Sequence, residues 1–185
     1  MLEERFGPFQ TEARVKDLLV PGLRDRQGMD PVLKRILTAI ERCRKRSVSG
    51  RQGYNLAFDF FSPTLRLAIE FDERQHFTLP RASSLKAYPL NLSQGFDRGR
   101  WIAMCGKIQA GDNDPVYRDE QRAFYDAIRD VVAPRLGLLP VVRIYEEDVK
   151  WEQAREDKEE ARKARQMLDS IQRFVRQHTL SKHEP

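Results

Sequence analysis

Cysteine is scarce: Cys43 and Cys105 are the only two in 185 residues. They lie far apart and form no Cys-x-x-Cys pair, which argues against a disulfide framework or a structural zinc site and suits a reducing compartment. Long apolar runs are missing as well. The stretch Leu136-Gly137-Leu138-Leu139 stops at Pro140, so no segment approaches the roughly 20 residues that a membrane-spanning helix needs. The opening residues, Met1-Leu2-Glu3-Glu4-Arg5, carry neither the basic nor the apolar region of a secretory leader. There is no internal repeat, no Gly-rich phosphate loop and no Gly-x-Ser-x-Gly. The expectation is a soluble, cytoplasmic protein with no membrane partner.

Charge is what the chain has in excess. Charged residues make up 33% of it, against roughly 25% in ordinary globular chains. The net charge of +5 and a pI near 9.4 favour a polyanionic partner. The length suits one domain with a genuine hydrophobic core.

The most informative stretch is Phe58-Asp59-Phe60-Phe61-Ser62-Pro63-Thr64-Leu65-Arg66-Leu67-Ala68-Ile69-Glu70-Phe71-Asp72, followed by Gln75-His76. Two apolar runs around Ser-Pro-Thr predict a β-hairpin. Strand alternation puts Leu65, Leu67, Ile69 and Phe71 on one face and Arg66, Ala68, Glu70 and Asp72 on the other. In the first strand Asn55, Ala57 and Asp59 alternate with Leu56, Phe58 and Phe60. Carboxylates at strand ends are ordinarily solvated. Three on one face beside Gln-His repel one another unless a cation compensates, so the pattern predicts a divalent-metal site.

An Asp on one strand and Glu-x-(Lys or another polar residue) on the next resembles the motif of the PD-(D/E)XK nuclease superfamily. Phe-Asp-Phe, Leu-Ala-Ile-Glu-Phe-Asp and Gln-His look most like its branch containing very-short-patch-repair endonucleases. The likeness is close over residues 58–76 and weaker over residues 119–148. It implies an α/β fold, a small mixed central sheet flanked by helices in a restriction-endonuclease-like core. It also implies Mg²⁺- or Mn²⁺-dependent hydrolysis of DNA, double-stranded by preference, of the kind used in restriction, phage defence or repair. Asp59 and Glu70 would ligate the metal, with the Phe71 carbonyl as a third ligand and Glu12 as a further candidate. The superfamily's usual lysine is Asp72 here, so Asp72 would hold a second ion or orient water. His76, beside Gln75, becomes the candidate general base. Asp119 and Arg122 match the Asp-x-x-Arg whose arginine steadies a carboxylate or the scissile phosphate.

Elsewhere the pattern is coarser. Ala13, Val15, Leu18 and Leu19 predict a short helix over residues 11–20, before Pro21-Gly22. Asp30-Pro31 announces a helix to about residue 45, and Arg44, Lys45, Arg46 and Arg51 at its end are candidate DNA contacts, with Arg118 and Arg122 further on. Residues 78–116 read as an irregular insertion after the second core strand, with one short helix over residues 96–108. A second helix is expected from Asp114-Pro115, a buried strand over residues 138–144, and a helix from residue 146 to about 177. This divides the chain into a nuclease-like domain, residues 1–148, and a charged C-terminal helix and tail, residues 149–185. The long helix would project or pair with a partner, in a homodimer or a larger complex. The alternative to an enzyme is a nuclease fold that binds DNA without cutting it, or a subunit of a larger nucleic-acid-processing complex.

Overall fold

The computed structural model describes residues 1–24, 26–111 and 114–180. Its elements, in chain order, are α1 (Leu2–Phe6), β1 (Gln10–Leu19), α2 (Pro31–Arg44), β2 (Asn55–Ser62), β3 (Leu67–Asp72), α3 (Leu79–Lys86), α4 (Arg98–Ile108), α5 (Arg118–Val132), β4 (Val142–Tyr145) and α6 (Lys158–Leu180). The four strands form one mixed sheet in the order β1-β2-β3-β4. The first three make an antiparallel meander, and β4 returns parallel to β3 through the crossover of α3, α4 and α5. This is the small mixed sheet flanked by helices that the sequence pattern implies.

Two apolar layers hold the helices to the sheet. Leu56, Phe58 and Ala68 face α2 to α5, packing with Ile36, Leu37, Ile40, Phe124 and Ile128. Leu67, Ile69, Val142 and Ile144 face the other way, against Ile171 and Val175 of α6. Each such side chain contributes roughly 1.5–3 kcal/mol when fully buried. The apolar stripe of α6 is therefore covered by its own sheet rather than projecting. The helix also starts later than its composition suggests, because Asp157 Oδ1 accepts the Glu159 and Glu160 N–H groups at 2.7 and 3.2 Å and caps it there. Val149 and Ala154, in the turns before it, pack on Ala164. Among the described residues no helix is long and apolar enough to cross a membrane.

The Asp30 cap behaves as its sequence predicts, its Oδ1 accepting from Val32 and Leu33 at 2.9 and 3.0 Å. The segment over residues 11–20 does not. It is strand β1, paired with β2, and the register shifts between Arg14 and Leu19 where Asp17 takes φ 69°. That irregularity turns an inward alternation of Ala13 and Val15 into Leu18 and Val20, a spacing that mimics a helix. The region after β3 is also more regular than its Pro and Gly content suggests. Thr78 Oγ1 caps α3 through the Arg81 N–H (3.2 Å), and Asp97 caps α4 through the Arg100 N–H (3.0 Å). The helix expected from Asp114-Pro115 begins at Arg118, after Tyr117 in a left-handed conformation.

Candidate active site

The hairpin opens into a fork where its acidic residues lie. The β2–β3 ladder pairs Phe60 with Ile69 at its last rung. Beyond that rung, Asp59 Oδ2 accepts the Phe71 N–H at 2.8 Å, and Glu70 Oε1 accepts the Asp59 N–H at 3.3 Å. Each carboxylate thus takes a main-chain donor from the opposite strand. The strand alternation breaks at the same point: Leu56 and Phe58 pack towards α5, whereas Phe60 packs towards α6. Asp59 consequently emerges into solvent while Glu70 stays buried.

The fork forms the floor of a cleft of about 660 Å³. Glu12, across from Asp59 in the β1–β2 register, stands at one side with φ 48°. The expected helix at Glu12 is a strand, yet its carboxylate still borders the cleft. Along the other side runs α5, contributing Arg118, Arg122, Asp126 and Arg129. Arg129 Nε lies 3.4 Å from Glu70 Oε2 and donates to the Ala57 carbonyl at 2.9 Å. Burial pushes the Glu70 carboxyl up to about 7 despite Arg129 and Arg143, and the neighbouring charge of Asp59 adds to the rise. Arg122 donates to the Gln75 carbonyl at 3.0 Å, and the Gln75 amide bonds to Glu73. Gln75 therefore lines the cleft with both its amide and its carbonyl engaged.

His76 follows β3 in a single turn of 3₁₀-helix. Its Nδ1 lies 3.0 Å from Asp126 Oδ2 and 3.5 Å from Asp72 Oδ1, and its Nε2 has no hydrogen-bond partner among the described residues. Burial alone would lower the pKa of the ring; the Asp126 and Asp72 carboxylates outweigh it and hold the value above the ordinary 6.5.

Asp72 takes a different position from the one its place in the motif implies. It is wholly buried, with Oδ1 accepting from Arg143 Nη1 and Oδ2 from Trp101 Nε1, both at 2.6 Å. It does not line the cleft: Arg143, which β4 registers opposite Glu70, turns its guanidinium onto Asp72 in the interior. Arg143 also bonds Asp130 (2.9 Å) and approaches Asp126 (3.5 Å), while Asp130 receives Arg81 and Tyr88 at 3.0 and 2.7 Å. This buried network fixes Asp126, and through it His76. The Arg143 and His76 charges hold the Asp126 carboxyl well below the usual carboxylate range even though burial opposes them.

The basic residues also divide. Arg44, expected to contact DNA, is half-buried and pairs with Asp119 (2.9 Å) and Glu120 (3.5 Å). Asp119 is fully buried there, 3.9 Å from Arg122, so of the Asp-x-x-Arg pair only the arginine borders the cleft. Lys45, Arg46 and Arg51 are exposed. Among the described residues no three His, Cys, Asp or Glu side chains converge as a metal-holding group.

No family model, curated protein or solved structure matches this chain. The site therefore stands on its geometry. Asp126, Arg129 and Arg143 were not among the residues the sequence singles out. A signal existed for the first: Asp126 and Asp130 lie one position from the apolar series Phe124, Ala127, Ile128 and Val131, and so border the buried stripe of α5. Nothing in the sequence alone brings Arg143 to Asp72.

Proposed function

We propose that this protein is a metal-dependent endonuclease that hydrolyses phosphodiester bonds in DNA. The observation that carries the reading is the Asp59–Glu70 pair at the floor of a cleft bordered by α5 arginines and His76. The donors fit Mg²⁺ or Mn²⁺ better than zinc. Two carboxylates meet without a converging Cys or His set, and an ion of this kind is held by one or two carboxylates while keeping several waters. Placed beside Asp59 and Glu70, such a cation relieves the like-charge contact that, with burial, holds Glu70 near 7. The Phe71 carbonyl, next in the chain, is the third donor that the motif implies. When bound, the ion lowers the pKa of a coordinated water and stabilises charge developing on phosphorus.

The protein's own groups supply the rest. His76, held at Nδ1 by Asp126, presents Nε2 as the nitrogen to take a proton from the attacking water. Asp126 acts as a positioning residue, fixing the tautomer and keeping the ring in place. Arg118 and Arg122 bring positive charge to the phosphate on the α5 side, and Gln75 fixes where Arg122 lies.

A plasmid-nicking assay with and without Mg²⁺ or Mn²⁺ tests the reading, with Asp59→Asn as the control. Metal-dependent relaxation of supercoiled plasmid that the variant lacks is the expected result. Arg129, 3.4 Å from Glu70, favours the second reading, a DNA-binding module without catalysis, since its guanidinium already offsets part of that charge. Binding without nicking across both metals decides for it.

A further inference from the structure

The cleft shares a wall with a second concavity of about 780 Å³. Gln121 lines the cleft and donates through Nε2 to the carbonyl of Ser49, which lines the second concavity, at 2.8 Å. Gly50 sits in the same wall. A Cβ there would lie 2.9 Å from Leu23 Cδ1 on one side and 3.1 Å from Tyr125 Oη on the other. Tyr117 lines the second concavity and its neighbour Arg118 the cleft. A strand leaving the cleft over the start of α5 passes directly onto this second surface.

Its charge is one-sided. Arg24 and Arg26 come from the loop after β1, and Lys45 and Arg46 from the end of α2. Among the described lining residues the acidic one is Glu41, and Arg26 engages both its oxygens at 2.7 and 2.8 Å. Arg24, Lys45 and Arg46 are exposed and form no ion pair among the described residues. Lys45 and Arg46 complement the α2 dipole where they stand. That leaves Arg24, which belongs to another segment and has no ion pair among the described residues, without such a reason for lying here. Cations gathered in a concavity raise the local positive potential and concentrate anions in it.

We propose that this concavity is a second phosphate site, holding a phosphate group of the nucleic-acid strand that occupies the cleft. The inference rests on the nucleic-acid reading of the cleft, but not on catalysis. The recognised chemistry is a phosphate oxyanion, supplied by a terminal phosphomonoester or by an internal phosphodiester. Ser47 and Ser49 add hydroxyl donors beside the cations, as either would use.

Fluorescence anisotropy of the full-length protein with short single-stranded oligonucleotides, carrying a 5′-phosphate, a 3′-phosphate or neither, tests this without any cleavage step. Arg24→Gln with Arg46→Gln should reduce the log–log salt slope by about 1.4, at roughly 0.7 for each lost contact on a single strand. Arg165→Gln with Arg173→Gln on α6, which removes the same charge elsewhere, should leave the slope unchanged. Inorganic phosphate should compete with binding to the wild type more strongly than to the Arg24/Arg46 double variant. A loss confined to one phosphorylated end assigns a phosphomonoester, and an equal loss for all three probes assigns a phosphodiester. An unchanged slope in the Arg24/Arg46 double variant, or an equal fall in the α6 control, overturns the proposal. Failure to cut DNA under any metal leaves these readouts intact, so the two readings fail separately.

Discussion

Replacing Glu70 by Gln offers the sharpest physical test of the fork. In the folded protein Glu70 titrates at about 7 against an ordinary value of 4.5. At roughly 1.4 kcal/mol per pH unit, that difference amounts to about 3 kcal/mol. The sign follows from where the proton sits. Below pH 4.5 folded and unfolded chains both carry it, and the metal-free protein has its full stability from this group. Between 4.5 and 7 the unfolded chain releases the proton while the folded chain keeps it, so stability falls as pH rises. Above 7 the folded protein carries a buried charge, and the whole deficit is present. Gln stands in for the protonated acid at every pH and still offers Oε1 to the Asp59 N–H. The two proteins should therefore melt together at pH 4.5 and diverge by pH 8, with the variant higher by roughly 6–12 °C. Because the raised His76 titrates in the same direction in both proteins, the comparison isolates Glu70. Mg²⁺ or Mn²⁺ should recover the wild type's deficit above pH 7 and leave Glu70→Gln unmoved, since a ligating carboxylate must be deprotonated. Melting curves that stay parallel from pH 4.5 to 8.5, or equal metal stabilisation of both proteins, would refute the reasoning.

Three further outcomes are expected. Asp59→Ala should abolish nicking while far-ultraviolet circular dichroism stays unchanged, because Asp59 is exposed and its loss opens no cavity. His76→Ala should retain DNA binding and lose about 10²- to 10⁴-fold in rate, the usual worth of acid–base catalysis; the wild-type rate should rise with pH through a value above 6.5, and Asp126→Asn should shift that limb to lower pH by removing the charge that raises it. Arg143→Leu should cost about 3–5 kcal/mol in a urea titration, since it leaves the buried Asp72 without its guanidinium partner, while Asp130 keeps Arg81 and Tyr88.

What could be read from the sequence was what is local. The hairpin announces itself through alternation and a Ser-Pro-Thr turn, and α2 through Asp30-Pro31, because those signals lie within a few residues of the structure they specify. Glu70 and Asp59 were legible for the same reason, sitting opposite one another across a short turn. β1 was misread because one irregular residue, Asp17, shifts a two-residue period into an apparent helical one. Asp72 was misplaced for a different reason. Its position in the strand gives its face but not its neighbour, and that neighbour, Arg143, arrives 71 residues later. Arg44 looked like surface charge until α5 brought Asp119 against it. Long-range pairing of charges has no periodicity, so a single sequence carries no trace of it. Asp126 escaped notice between the two cases: its place beside an apolar stripe is visible, but its role depends on a histidine 50 residues away.

The Phe71 amide, bonded to the Asp59 carboxylate rather than to a facing carbonyl, gives the sheet an internal reporter. Most amides within a strand exchange with solvent deuterium only when the surrounding structure opens, whereas this one also depends on whether a single exposed side chain stays in place. Anything that draws Asp59 aside, a bound cation or a phosphate crowding the fork, alters the lifetime of that one proton while its neighbours in β3 keep theirs. Occupancy of the cleft is thereby written into one peptide group, readable by nuclear magnetic resonance with no substrate turned over.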